Sequence, residues 1–164
     1  MNIDEDIQTA ELFAGLSPAS VHRLATIARV TSLRAGEYLF LLGDSAQYVS
    51  LVRSGLIELC FPISMGGVVK DIAVETVGRG STIGWSAMVK PYRFTLSARA
   101  AETSEVVAFA RQDLHTLFLT DAAAQRTVVD GISELMANRL ATFQALWARE
   151  LMRTLSAGSQ GGPA

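Results

Sequence analysis

One cysteine, two histidines and four prolines in 164 residues leave several chemistries without raw material. Cys60 alone closes no internal disulfide, and within the strand-like run 56–61 it reads as a buried, inert thiol. No base accompanies it and no Gly-x-Ser-x-Gly turn or comparable motif occurs, so no catalytic residue is expected. His22 and His115 fall in different predicted helices near opposite ends of the chain, neither with a cysteine or second histidine at ligand spacing. No metal site is expected, which also disfavours a metal-binding cupin barrel. Charge is scarce: 18% of residues are charged, 14 basic against 16 acidic, for a net charge of −2. Nothing forms the basic stripe that a nucleic-acid backbone or an anionic membrane would attract. No apolar run approaches the roughly 20 residues of a membrane helix. The acidic residues 1–6 have no signal-peptide character, and a cytoplasmic protein is expected.

What is present is apolar residues, 49% of the chain, enough for one domain with a sizeable core. Ser17-Pro18 opens a predicted helix with apolar positions at Val21, Leu24, Ile27 and Ala28, a capping serine followed by proline in the first turn. From Val30 the period shortens. Apolar runs at 38–42, 48–52, 56–61, 68–76, 96–101 and 105–110 alternate with turn signals at Gly36, Gly43, Gly55, Gly66-Gly67, Gly78 and Gly80. Many short strands at such spacings predict an antiparallel barrel or sandwich. Glycines 78, 80 and 84 superficially match a dinucleotide loop, but they lead from a strand into a very short helix without βαβ context. Glu102, Glu105 and Asp113 read as solvated turn and cap residues.

Beyond Gln112 helical spacing returns, with Asp113 placed to cap a short helix through Leu119 and Asp121 a long one to about Leu155. Ile132, Met136, Leu140, Phe143, Trp147 and Leu151 make one apolar stripe along it. The helix outruns any barrel the chain can build, so its far half is expected to meet a second copy through Met136, Leu140, Phe143, Trp147 and Leu151. Otherwise it bends back and the stripe is ordinary core.

Several segments, in this order and at these spacings, are informative together: "LFAGLSP", "RAGEYLFLLGD", "VRSGLIEL", "GRGSTIGW" and "ARAAETSEVVAF". Over about 11–155 the chain resembles the cyclic-nucleotide-binding domain family, the sensor module of catabolite-activator-type regulators and of cyclic-AMP-dependent kinase regulatory subunits. The resemblance implies a mainly β fold with flanking helices: an antiparallel β-roll or jelly-roll barrel, a double-stranded β-helix, with an N-terminal helix and a long C-terminal helix. The expected division is an N-terminal tail 1–10, a β-roll about 30–111, C-terminal helices about 112–155 and a disordered tail 156–164.

The phosphate-binding cassette departs from the family. There, a glycine precedes a glutamate that accepts a hydrogen bond from the ribose 2′-hydroxyl, and an arginine nine positions later pairs with the cyclic phosphate. Counted from Gly84, those places hold Trp85 and Phe94, with the count anchored downstream by Arg99. Thr95 keeps the family's hydroxyl, and Leu96 replaces a small alanine. An arginine–phosphate contact is worth roughly 1.5–3 kcal/mol per bond, and partial charge on amides near Ser86 and Ala87 supplies only about 0.3–1 kcal/mol. Arg93 reaches the arginine's place only through a slip or bulge near Pro91-Tyr92. Two readings stay open. Trp85 and Phe94 fill the cavity of a packed scaffold, or they shape an apolar pocket with Ser86, Thr95 and Arg93 as its polar contacts.

The resemblance therefore implies a non-catalytic regulatory or sensor module that does not bind cyclic AMP or cyclic GMP in the usual way. It carries no cofactor and acts as a homodimer through protein partners. Many relatives place a DNA-reading helix-turn-helix after the long helix; here only 156–164 follow it, so no nucleic-acid partner is expected. The alternatives are a genuine cyclic-nucleotide binder with a rearranged pocket, and a structural assembly or interaction domain.

Overall fold

The computed structural model describes residues 2–158. Two N-terminal helices, α1 (Ile3–Thr9) and α2 (Pro18–Ile27), precede eight strands: β1 (Ala28–Leu33), β2 (Tyr38–Phe40), β3 (Tyr48–Ser54), β4 (Ile57–Met65), β5 (Val68–Val77), β6 (Thr82–Ile83), β7 (Ser97–Ala100) and β8 (Ser104–Ala110). Helices α3 (Arg111–Thr120) and α4 (Ala122–Gly158) follow. The strands form two four-stranded sheets, ordered β1-β8-β3-β6 and β2-β7-β4-β5, and their pairings are antiparallel.

Both sheets feed one buried cluster. Leu33, Val52, Ile83 and Val106 come from the first, and Ile57, Leu59, Val77 and Ala98 from the second, so the barrel interior is a packed apolar layer. A second cluster joins the barrel's end to the helices through Phe13, Leu24, Val49, Phe109, Leu114 and Val128. Strand β8 lies between two partners and is buried along most of its length, whereas the edge strand β5 exposes most of its residues. At the β3–β4 turn Gly55 sits at φ 79°, and an added Cβ would stand 2.2 Å from Ser104 Oγ. That hydroxyl also accepts from Leu56 N (3.1 Å), so this turn has no room for another residue.

Residues 3–9, expected as part of a tail, form α1. Ile7 is fully buried, and the Asp6 carboxylate meets Arg53 at 2.9 Å and Arg79 at 3.8 Å. Tertiary contacts hold a helix too short to form alone. The start of α3 also differs: Ala110 stands at its N-cap, and Asp113 lies in the first turn. Asp121 does cap α4, accepting from Ala124 N at 3.0 Å while Ser20 Oγ (2.7 Å) and Arg23 donate to its other oxygen. The helix continues through 156–158, which were expected in the tail; 159–164 lie outside the described residues. Among the described residues no helix is long and apolar enough to cross a membrane.

Candidate functional site

The cassette is the segment joining β6 to β7. Gly84 opens it at φ 73°, where an added Cβ would lie 2.9 Å from Tyr48 O and 3.3 Å from the Phe94 ring, so glycine is needed for both conformation and space. A single 3-10 turn, Trp85–Met88, follows. Ala87 is fully buried in the core beneath that turn, which removes it from the expected pocket set.

Phe94 is fixed on both sides. Its N–H donates to Asp44 O (3.0 Å) and its carbonyl accepts from Gly43 N (2.8 Å), which ties the end of the cassette to the β2–β3 loop. Its ring stacks on Phe40 with centroids 3.8 Å apart and planes 10° apart, leaving 7% of the residue exposed. Arg93 points elsewhere. Its guanidinium donates to Gly43 O at 2.7 Å in an exposed position, and the residue is absent from the cavity wall. Phe94 is buried while its neighbours Arg93 and Thr95 are exposed. Arg93 is therefore not a pocket contact. Tyr92 (φ 58°) lies beside it, its ring 4.5 Å below the Arg111 guanidinium.

The rings do not fill the hollow. A cavity of about 650 Å³ lies between the cassette, the second sheet and α4. Phe40, Leu59, Phe94 and Leu96 form one wall, Gly84, Trp85 and Ser86 a second, and Met136, Leu140, Phe143 and Leu146 of α4 the third. Arg139, the basic residue of this lining, meets Glu75 at 3.6 Å and donates to Thr82 O at 3.3 Å, so α4 is tethered to β5 and β6. Arg99, the strand arginine, donates to Glu58 instead, at 3.2 and 2.7 Å. Ser86 and Thr95, which carry hydroxyls, also belong to the lining. Neither has a hydrogen-bond partner among the described residues, and Ser86 is 8% exposed. The described residues contain no group of three His, Cys, Asp or Glu placed to hold a metal ion.

Five of the expected pocket residues, Gly84, Trp85, Ser86, Phe94 and Thr95, thus come together. Sequence reasoning missed Phe40, Leu59 and the Arg139 tether. Only the apolar run at 38–42 hinted at Phe40, and nothing local marked Arg139. The α4 stripe divides in two. Met136, Leu140 and Phe143 border the cavity, whereas Trp147 and Leu151 lie beyond it, 63% and 46% exposed.

Comparison with known proteins gives a consistent result. Residues 30–121 match the cyclic nucleotide-binding domain family. Over 129 residues the chain is 29% identical to the cyclic AMP receptor protein of Thermus thermophilus, covering 79% of this chain and 56% of that protein. The chain therefore spans little more than half the length of that relative. Among solved structures it is similar to the catabolite activator protein of Thermus thermophilus, with TM-score 0.67 and 26% identity over 88% of this chain and 63% of that one. It also resembles in fold a cyclic nucleotide-binding domain from Methylobacillus flagellatus, with TM-score 0.74 and 21% identity over 93% and 82%. With the family match spanning β1 to α3 and the cassette lying between β6 and β7 of a two-sheet barrel, the chain belongs to the cyclic nucleotide-binding domain family of regulatory sensor domains.

Proposed function

We propose that this chain is a non-catalytic regulatory module whose cassette has given up the phosphate grip of its family, and that it works as a dimer through α4. One observation carries the first part: the place of the phosphate-pairing arginine holds Phe94, buried against Phe40, while the arginine next to it in sequence, Arg93, is turned onto Gly43 O. A phosphate entering this cavity meets no uncommitted counter-charge, because Arg139 is engaged with Glu75 and Thr82. Desolvating an anion without a partner is unfavourable by several kcal/mol. Losing two polar anchors reduces affinity on the order of a thousandfold.

The second part rests on α4. Beyond the cavity its apolar residues Trp147, Leu151, Met152 and Leu155 are exposed along the helix, in the arrangement that a second helix covers. A signal would pass from the cassette to α4 across the cavity that both wall, and from α4 to a partner protein. Equilibrium dialysis against labelled cyclic AMP and cyclic GMP tests the cassette reading. No retention of either at micromolar concentration is expected; saturable retention of either would overturn it and favour a nucleotide binder with a rearranged pocket.

A further inference from the structure

We infer that the cavity between the cassette and α4 takes an uncharged, predominantly apolar small molecule carrying a flat ring. The inference rests on the cassette reading above and names what replaced the nucleotide. Its size is the first reason: about 650 Å³ falls within the range of small-molecule sites, roughly 300–1,000 Å³. The chemistry of the walls is the second. Trp85 and Phe94 supply aromatic surface, Leu59 and Leu96 lie beside them, and Met136 and Leu140 approach from α4. Apolar and aromatic walls with very few polar groups are what such ligands bury themselves against.

Charge is the third reason. Arg139 is spent on Glu75 and Thr82 O, Arg93 on Gly43 O and Arg99 on Glu58, so an anionic ligand would be desolvated without compensation. A cation would find Glu75 already paired. The fourth reason is Ser86, a cavity-wall residue 8% exposed whose hydroxyl makes no hydrogen bond among the described residues. An uncommitted hydroxyl there is free to bond one polar atom of an occupant. A small molecule suits the depth better than a helix from a second copy. Leu59 and Phe94 of the barrel-side wall are only 2% and 7% exposed, too little surface for a helix to pack on.

The chain has two tryptophans, Trp85 at the cavity and Trp147 on the distal part of α4. In a full-length Trp147→Phe background Trp85 is the sole tryptophan reporter. The probe is N-phenyl-1-naphthylamine, which is neutral and accepts energy from tryptophan, compared with its anionic relative 8-anilinonaphthalene-1-sulfonate. The expected result is saturable binding of the neutral probe at micromolar concentration, with quenching of Trp85 and no displacement by cyclic AMP. Leu96→Asp, which puts a carboxylate on the wall, is expected to weaken the neutral probe by at least about tenfold. Leu151→Ser, outside the cavity, is expected to leave it unchanged. If Leu96→Asp melts early, the exposed Thr95→Lys decides instead: a cation at the rim is expected to shift preference toward the anionic probe by about tenfold.

Absence of saturable binding overturns the inference. So does binding that Leu151→Ser abolishes, which would locate the probe on the exposed stripe, or equal affinity for the two probes in the parent chain. The cassette reading fails separately, if cyclic AMP or cyclic GMP binds or displaces the neutral probe at micromolar concentration. If neither probe nor nucleotide binds, the ligand class falls and the cassette reading stands.

Discussion

At position 94 a phenyl ring lies flat on Phe40, and a ring in that place offers no hydrogen bond to an anion. The neighbouring Arg93 shows how little freedom the backbone leaves. Bonds between Phe94 and both Gly43 and Asp44 fix the register, and a guanidinium one residue away faces outward onto the Gly43 carbonyl. Another residue carries a separate consequence. The Asp121 carboxyl is held below the usual carboxylate range by the Ala124 N–H first, then by Ser20 and by the Arg23 guanidinium. A depressed folded pKa means the stabilisation is complete above the unfolded value, about 3.9, and is lost as pH falls through the folded value. Asp121→Ala is expected to lower stability at pH 7 by about 1–3 kcal/mol in chemical denaturation. It should also flatten the acid limb of the stability profile. A loss within a few tenths of a kcal/mol would contradict the assignment of this cap.

Among the elements, those whose signals are local were legible. Ser17-Pro18 marked the start of α2, Asp121 marked α4, and the glycine punctuation marked the strands. Five cavity residues followed from a count along one segment. What escaped depends on distant partners. Helix α1 is a seven-residue element held by Asp6 meeting Arg53 and Arg79, and nothing in its own sequence announces that contact. Phe40 stacks on Phe94 from strand β2, and Arg139 reaches β5 and β6 from a helix whose cap and apolar stripe say nothing of that contact. That is also why the sequence left open whether the rings fill the hollow: its third wall is α4. Arg139→Ala removes the tether between helix and barrel. Hydrogen exchange is expected to quicken several-fold in 139–158, in keeping with about 1 kcal/mol for a partly exposed pair. Unchanged exchange there would show that α4 is held without it.

For the whole molecule, α4 serves two surfaces in series. Its middle residues wall the cavity, and its distal residues present an apolar stripe suited to a second copy. An occupant of the cavity would therefore bear on the same helix through which we propose the dimer forms. Sedimentation velocity is expected to show a dimer at micromolar concentration, with Trp147→Glu plus Leu151→Glu raising its dissociation constant by a hundredfold or more, about 2.7 kcal/mol. A parent chain that stays monomeric at high concentration would remove this surface from the account.

The loss of the phosphate grip is the claim on which the reading of the cavity and its ligand rests, and calorimetric titration of the full chain with cyclic AMP tests it most directly. The account predicts heats no larger than dilution across micromolar nucleotide. A saturable isotherm with a micromolar dissociation constant would contradict it.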